Sequence, residues 1–371
     1  MPNRVKDIIE IMEHHFPLHL AASWDNCGLQ VGSYQAPVKR VGVALELEPQ
    51  VLEQALQQQI DLIITHHPLF FHGLKCLNTE TVMGDMVNKL IRAGIAVYAA
   101  HTNLDSAPSG LNQHLAEKLN LRDIMPLFTE HRDELYKIVV FVPADHVVKV
   151  HEAMARAGAG HIGRYSACSF RTPGIGTFRP EAGSQPWIGS TGVLEEVEEY
   201  RLETVIPQSG LKQVLHSMQA AHPYEEVAYD VFRLVNGGQV YSMGRKGRLT
   251  AACSLNELAR QVKAVFASEG LRVVGDPGKL VERVALISGS GGAMLANINT
   301  DLAEVVITGD VKYHEAQEAL LKGLAVIDAG HQELERHMIA FLQAILQREC
   351  QRQNLQIEVI GLEASLCFKY F

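Results

Sequence analysis

Two adjacent histidines, His66 and His67, sit in the stretch DLIITHHPLFFHG, residues 61–73. Along a β-strand neighbouring side chains point to opposite faces. The two can therefore share one site only where the strand has ended and the chain is turning. Pro68 makes that turn plausible, because it donates no ladder hydrogen bond and moves His67 away from helical backbone. Two more strand-like runs end in groups of the same kind. VYAAHTNLDS carries His101 and Asp105, and VIDAGHQELERH carries His331 with Glu335 four residues on. A helix beginning near His331 would set that pair on one face, the spacing by which a helix offers two ligands to one ion.

Imidazole with carboxylate suits Zn, Mn or Fe(II), and no cysteine accompanies the set. Five groups, His66, His67, Asp105, His331 and Glu335, exceed the three or four ligands of a mononuclear catalytic zinc. They fit a pair of divalent ions about 3.5–4 Å apart, bridged by a carboxylate and a water or hydroxide. Taken singly, each has a plainer reading. Asp105 could cap a helix starting at Ser106, and Glu335 could be a solvated helix charge. His331 could be a cap or a core-edge residue, and His101 a packed residue or one that supports a ligand from behind. That all five would be incidental at successive strand ends is the weaker account.

The elements that must position these residues read as α/β. RVGVALEL (40–47) is a strand, PQVLEQALQQQ (49–59) a helix with Pro49 at its start, and DLIITHH the next strand. MGDMVNKLIRAG is a helix ending at Gly94, and IAVYAAHTNLD (95–105) another strand. From residue 131 the order changes to β-α-β-β-α-β, running from LYKIVVFVP to EEVAYDVFRL, which predicts a ferredoxin-like α+β unit. NGGQ (236–239) reads as its exit linker. The α/β pattern then returns, with strands at VERVALISGSGG, LAEVVITGD and LAVIDAGH and a long helix at ELERHMIAFLQAILQREC. The expected organisation is a discontinuous two-half α/β domain, residues 1–130 and 237–371, with an inserted ferredoxin-like domain over 131–236. In such a sheet, sites form at the carboxyl ends of strands, where the histidines and carboxylates fall. The loop SGSGG (288–292) also follows a strand. It lacks the Walker lysine and a full G-x-G-x-x-G, so it reads as a plain turn or a loop lining the site.

Bulk properties narrow the class. At 371 residues two domains are expected. With 20% charged residues and a formal net charge of −9, a dedicated nucleic-acid binder is disfavoured. The 6 cysteines are scattered without a C-x-x-C pair, which fits reduced thiols in the cytosol. The N-terminal MPNRVKDIIEIMEHHF is an amphipathic, partly acidic helix rather than a signal peptide, and no apolar run approaches the roughly 20 residues of a membrane span. A cytoplasmic protein is the expectation.

In chain order, WDNCGLQVG (24–32), THHPLFF, HTNLD, SGSGG, TGDVKYHEA and GHQELER resemble the dinuclear-metal proteins known as GTP cyclohydrolase I type 2 homologues, relatives of the NGG-interacting-factor-like proteins. The resemblance covers both outer segments. AAHPYEEVAYDVF, in the middle unit, is similar to the insert of the longer bacterial members, a CutA/PII-like domain. Carried over residue by residue, the family's ligands for two divalent metal ions per subunit (Zn, Fe or Mn) fall on His66, His67, Asp105, His331 and Glu335, with Glu335 as the bridging carboxylate. His66 and His67 would then each hold a different metal of the pair. His101 lies close by, as a group that could shuttle protons. The resemblance also implies a homohexamer with its sites facing an inner cavity. One departure is Glu46, where relatives more often carry Asp.

Two functions follow as expectations. One is a metal-dependent hydrolase, of GTP cyclohydrolase type or acting on related nucleotides or phosphoesters, with a small-molecule substrate and with Glu335 and His101 as its catalytic groups. The other is a metal-responsive regulatory or scaffold protein that works through partner binding.

Overall fold

Short, continuously apolar runs become the central strands. Leu62–Thr65, Ala96–Ala99, Val305–Gly309 and Ala325–Asp328 are buried at every position, as parallel strands covered on both faces must be. The computed structural model describes residues 2–365 and 367–369. The chain divides into two units, residues 1–131 with 241–371, and residues 132–240.

The first unit holds two mixed sheets. One has the order Gly28–Val31, Ala96–Ala99, Leu62–Thr65, Arg40–Ala44, Glu358–Gly361, parallel except for its first pair. The other has the order Arg272–Val274, Ala325–Asp328, Val305–Gly309, Leu280–Ser290, Arg245–Ser254, Arg122–Pro126, with the Leu280–Ser290, Val305–Gly309 and Ala325–Asp328 strands parallel. The two chain segments exchange edge strands. Glu358–Gly361 completes the sheet built mainly from the first segment, and Arg122–Pro126 completes the sheet built from the second. Leu62 and Ile64 of one sheet share a core with Leu286 and Ile307 of the other and with Leu334, Met338 and Leu342. Local chemistry fixes the helix ends. Thr81 Oγ1 accepts from Gly84 N at 3.1 Å to start helix Val82–Ala93, and Gly94, at φ 70°, ends it in the left-handed conformation that glycine adopts without strain.

The structure corrects three local expectations. The strand foreseen over 95–105 stops at Ala99, and Thr102–Ser106 is a short helix, so Asp105 lies inside that helix and caps nothing. The long C-terminal helix is interrupted at Arg336, giving His331–Glu335 and His337–Arg352. SGSGG is only partly a loop: the Leu280–Ser290 strand runs through its first three residues, and its register with the neighbouring strand shifts between Leu286 and Ser290.

In the second unit, strands Leu135–Pro143, Ser169–Phe178, Glu195–Pro207 and Tyr229–Arg233 alternate with helices Val147–Arg156 and Leu211–Ala221. The sheet order is Tyr229–Arg233, Leu135–Pro143, Glu195–Pro207, Ser169–Phe178, antiparallel throughout. Val150, Met154, Val214 and Met218 from the helices pack on Ile138, Val140 and Leu202 of the sheet. Among the described residues no helix is long and apolar enough to cross a membrane.

Candidate metal centre

In the first unit, the carboxyl ends of its parallel strands bring the candidate residues together. His66 and His67 follow Leu62–Thr65, His101 follows Ala96–Ala99, and His331 follows Ala325–Asp328 by two residues. Leaving the strand lets both neighbours of the His66–His67 pair turn to the same side, their ring centroids 5.3 Å apart. The short helix His331–Glu335 then delivers its two ends to one point: His331 Nε2 is 2.8 Å from Glu335 Oε2. His67 Nε2 approaches the same oxygen at 3.0 Å. His66 Nε2 lies 3.5 Å from Glu335 Oε1 and 3.8 Å from Asp105 Oδ2. The His101 ring is 5.1 Å from that of His66 and 5.5 Å from that of His67.

Hydrogen bonds at the far side of three of the four rings aim the near nitrogen. His66 Nδ1 donates to the Ala100 carbonyl at 2.8 Å. His331 Nδ1 donates to Asp310 Oδ2 at 2.7 Å, and His101 Nδ1 to Asp25 Oδ1 at 3.0 Å. A carboxylate or carbonyl behind an imidazole fixes its tautomer and leaves the Nε2 lone pair free. His67 has Glu46 Oε2 at 3.9 Å from its Nδ1, so the longer side chain at that position still reaches it.

Two atoms show what the site lacks from the protein itself. His66 Nε2 and Glu335 Oε2 are buried and make no hydrogen bond. The imidazoles flanking Glu335 Oε2 are close enough for one, yet not aligned for it. His67 Nε2 and His331 Nε2 moreover face each other at 3.4 Å. Imidazole nitrogens and a carboxylate converging on one point are a donor set that suits a divalent cation. Among the described residues, two overlapping groups have ligand atoms within 4.8 Å of one another: His66, His67 and His101, and His67, His331 and Glu335. His101 thus stands among the candidate ligands by position. Asp105 is brought to the same place, and its Oδ1 accepts from Ser288 Oγ at 2.8 Å.

Charge is strongly organised here. Burial opposes charge on His67 and His331, but Glu335 outweighs it, helped by Glu46 at His67 and by Asp310 at His331. His67 is pushed up to about 10 and His331 to about 9. Fully buried His66 is also raised, against its burial, by Asp105 and Glu335. Burial would raise Glu335, yet the surrounding imidazoles of His66, His331 and His67 hold it well below the usual carboxylate range. Asp105 goes up through burial, with the charge of Glu335 adding to the effect. Protons therefore stand where cations would bind, and metal loading must displace them.

Several supporting residues had no role assigned from sequence. Asp25 accepts from His101, Thr102 N and Thr102 Oγ1, and this network holds its carboxyl down despite burial. Asp310 adopts a left-handed φ of 56°, unusual for a residue with a side chain. Gly289, at φ 63°, touches the site, since a β-carbon there would stand 2.1 Å from Glu335 Oε1. Asn112 ties the two segments, accepting from Ser288 N at 2.7 Å and donating to Met243 O at 2.7 Å. Asp25 and Gly289 belong to the motifs WDNCGLQVG and SGSGG, which were the available signals.

Comparison with known proteins gives a consistent result. The family model Duf34/NIF3 (NGG1p interacting factor 3) matches residues 3–366. A protein of Bacillus subtilis named GTP cyclohydrolase 1 type 2 homolog is 41% identical over 326 residues, covering 88% of this chain and 87% of its own. One of the same name from Halalkalibacterium halodurans is 39% identical over 354 residues, 95% of each chain. Among solved structures, a Bacillus cereus protein related to NIF3 superimposes with a TM-score of 0.92 at 39% identity, covering 100% of both chains.

Proposed function

The chain belongs to the Duf34/NIF3 family, and from that premise we propose that it is a metal-dependent hydrolase with a two-metal site. The observation that carries this is the pair of buried, unbonded atoms, His66 Nε2 and Glu335 Oε2, amid imidazoles aimed at one point. His66, His67, Asp105, His331 and Glu335 would hold two divalent ions, Zn, Fe or Mn. Such ions supply a water acidified toward neutral pH and a Lewis acid for developing negative charge. The chain's own residues do the rest. Ala100 O and Asp310 keep His66 and His331 in the binding tautomer, Asp25 steadies His101, and His101 is placed to carry a proton.

The substrate class rests on the relatives' name, GTP cyclohydrolase 1 type 2 homolog, so a purine nucleotide is the first candidate and phosphoesters the second. Two exposed rings support a flat aromatic substrate: Trp24 and Phe71 lie 6.0 and 5.8 Å from the His101 ring. The second unit we take as an inserted ferredoxin-like domain of the CutA/PII type, since its strand order and helix placement are those of that fold. Its separate core supports the alternative reading, a metal-responsive regulator acting through partners. A cytoplasmic homohexamer completes the proposal.

Metal per chain, measured by mass spectrometry on protein purified without chelator, tests the site. About two equivalents in wild type, falling to one or fewer in His67→Ala, is the expected result. Zero metal after reconstitution with Zn, Mn and Fe(II) refutes it. Turnover of GTP or a phosphoester that disappears in Glu335→Gln separates the enzyme from the regulator.

A further inference from the structure

A cavity of about 660 Å³ opens entirely within the residue 132–240 unit, and no residue of the candidate metal centre lines it. Its size is that of a metabolite site, far larger than a bare ion needs. Three rings wall it. Tyr224 lies 5.8 Å from Phe178 and 6.1 Å from Trp187, centroid to centroid. Neither pair is stacked flat, which leaves ring faces available to the space between them.

Glu199 forms the polar end. This residue is only 8% exposed, and its Oε1 accepts from the Tyr224 hydroxyl at 2.8 Å. Its Oε2 lies over Gly176, where a β-carbon would stand 2.1 Å away. The wall strand Ser169–Phe178 thus reaches the carboxylate through glycine, and any side chain there would fill the place. Tyr224 is held firmly. Its backbone N donates to His222 Nδ1 at 3.1 Å, and His222 Nε2 donates to Phe141 O at 2.9 Å. The HPYEE stretch that marked this unit in the sequence thus contributes Tyr224, Glu225 and Glu226 to the cavity wall.

The charge balance selects the ligand. Glu181, Glu225 and Glu226 join Glu199 at the cavity, against Arg179 and Arg201, and the Arg201 Nε is already committed to Glu203 Oε1 at 2.8 Å. A buried acceptor flanked by ring faces attracts an ammonium group by both carboxylate and π-quadrupole. An anion seated against the rings would be repelled by the buried Glu199 carboxylate.

We infer that this cavity binds an organic cation of metabolite size, with its ammonium group lodged among Phe178, Tyr224, Trp187 and the Glu199 carboxylate and its apolar body along the rest of the wall.

Isothermal titration of the full chain tests it, with benzyltrimethylammonium and tyramine as cationic probes, 4-hydroxyphenylacetate as the anionic counterpart of tyramine, and GTP. A quaternary ammonium has no lone pair, so its binding reports on this cavity and not on a metal. Expected are saturable heats for both cations at one per chain, weakened about tenfold or more in Glu199→Gln and in Trp187→Ala, and none for 4-hydroxyphenylacetate. Circular dichroism and metal content check that each variant is folded. Trp187 is 44% exposed, so its truncation leaves the core intact and decides the matter if Glu199→Gln does not fold. No saturable heat from either cation up to about 10 mM overturns the inference. So does equal binding of the anion, or affinity unchanged in the folded variants. GTP binding that Trp187→Ala abolishes would overturn it in favour of a nucleotide site. Failure of the hydrolase reading leaves all these outcomes unaffected.

Discussion

Gly289→Ala separates backbone strain from damage to the metal centre. Gly289 sits at φ 63°, and an added β-carbon would stand 2.1 Å from Glu335 Oε1, 3.1 Å from Glu335 Cδ and 3.4 Å from His331 Nε2. A carbon–oxygen contact needs more than 3 Å, so the carboxylate must retreat by about 1 Å, and the core behind it is close-packed. Two costs follow. An L-residue in the left-handed region costs about 1–2 kcal/mol, which lowers Tm by roughly 1–4 °C at about 2.1 cal/mol/K of unfolding entropy per residue. Displacing the carboxylate that meets both His67 and His331 should weaken metal binding by about 10–100-fold, the scale seen when the support of a metal ligand is removed. Gly323→Ala is the matched control: its φ is 70° and nothing lies within 4 Å of the new atom. It should show the thermal loss without the metal loss. Zinc affinity by chelator competition, beside thermal unfolding monitored by circular dichroism, reads both terms. If Gly289→Ala binds zinc as wild type does, the proximity of Gly289 to Glu335 has no role in metal binding, and the reasoning is refuted.

Other outcomes follow from single contacts. Asp310→Asn should keep the fold and lose about 10–100-fold in metal affinity, because an amide no longer enforces the tautomer of His331; unchanged affinity by the same competition assay rejects that role. Asn112→Leu leaves Ser288 N and Met243 O without their partner and should lower stability by about 2 kcal/mol or more in urea unfolding, since such groups are costly when buried. His222 sits below its ordinary pKa, through burial and despite its bond to Phe141, and its Nδ1 must stay unprotonated to accept from Tyr224 N. A histidine whose folded pKa is depressed takes up its proton on unfolding, so stability falls as pH drops below the ordinary histidine range near 6.5. Between pH 7.5 and 5.5, wild type should therefore lose more Tm than His222→Gln; equal losses would show that His222 does not titrate this way.

The sequence exposed chiefly what is local. The strands LIIT and AVYA are continuous apolar runs, and the spacing of His331 and Glu335 is one helical turn, so both could be read directly. The residues brought to one place include every one of the six singled out by type and position. The helix over Thr102–Ser106 was hidden because apolar residues lead into it without a break, and only the turn at Ala100 and His101 separates strand from helix. The supporting contacts are distant along the chain: Asp25 meets His101 across 76 positions, and Ser288 meets Asp105 across 183. No periodicity reports such pairs. The exchanged strands Arg122–Pro126 and Glu358–Gly361 are short and partly exposed, so neither carries a pattern that names its sheet.

That exchange, together with the distance between His67 and His331, has a consequence during synthesis. The two imidazoles are 264 positions apart, and at 5–20 residues per second a ribosome needs about 13–50 s to go from one to the other. Throughout that interval His66 and His67 lie on a sheet still missing the strand Glu358–Gly361, which pairs with Arg40–Ala44. A nascent chain therefore holds only part of the donor set, and tight capture of an ion must wait until nearly the whole chain has emerged. Under the proposed function, the order of translation would put metal loading after the synthesis of nearly the whole chain.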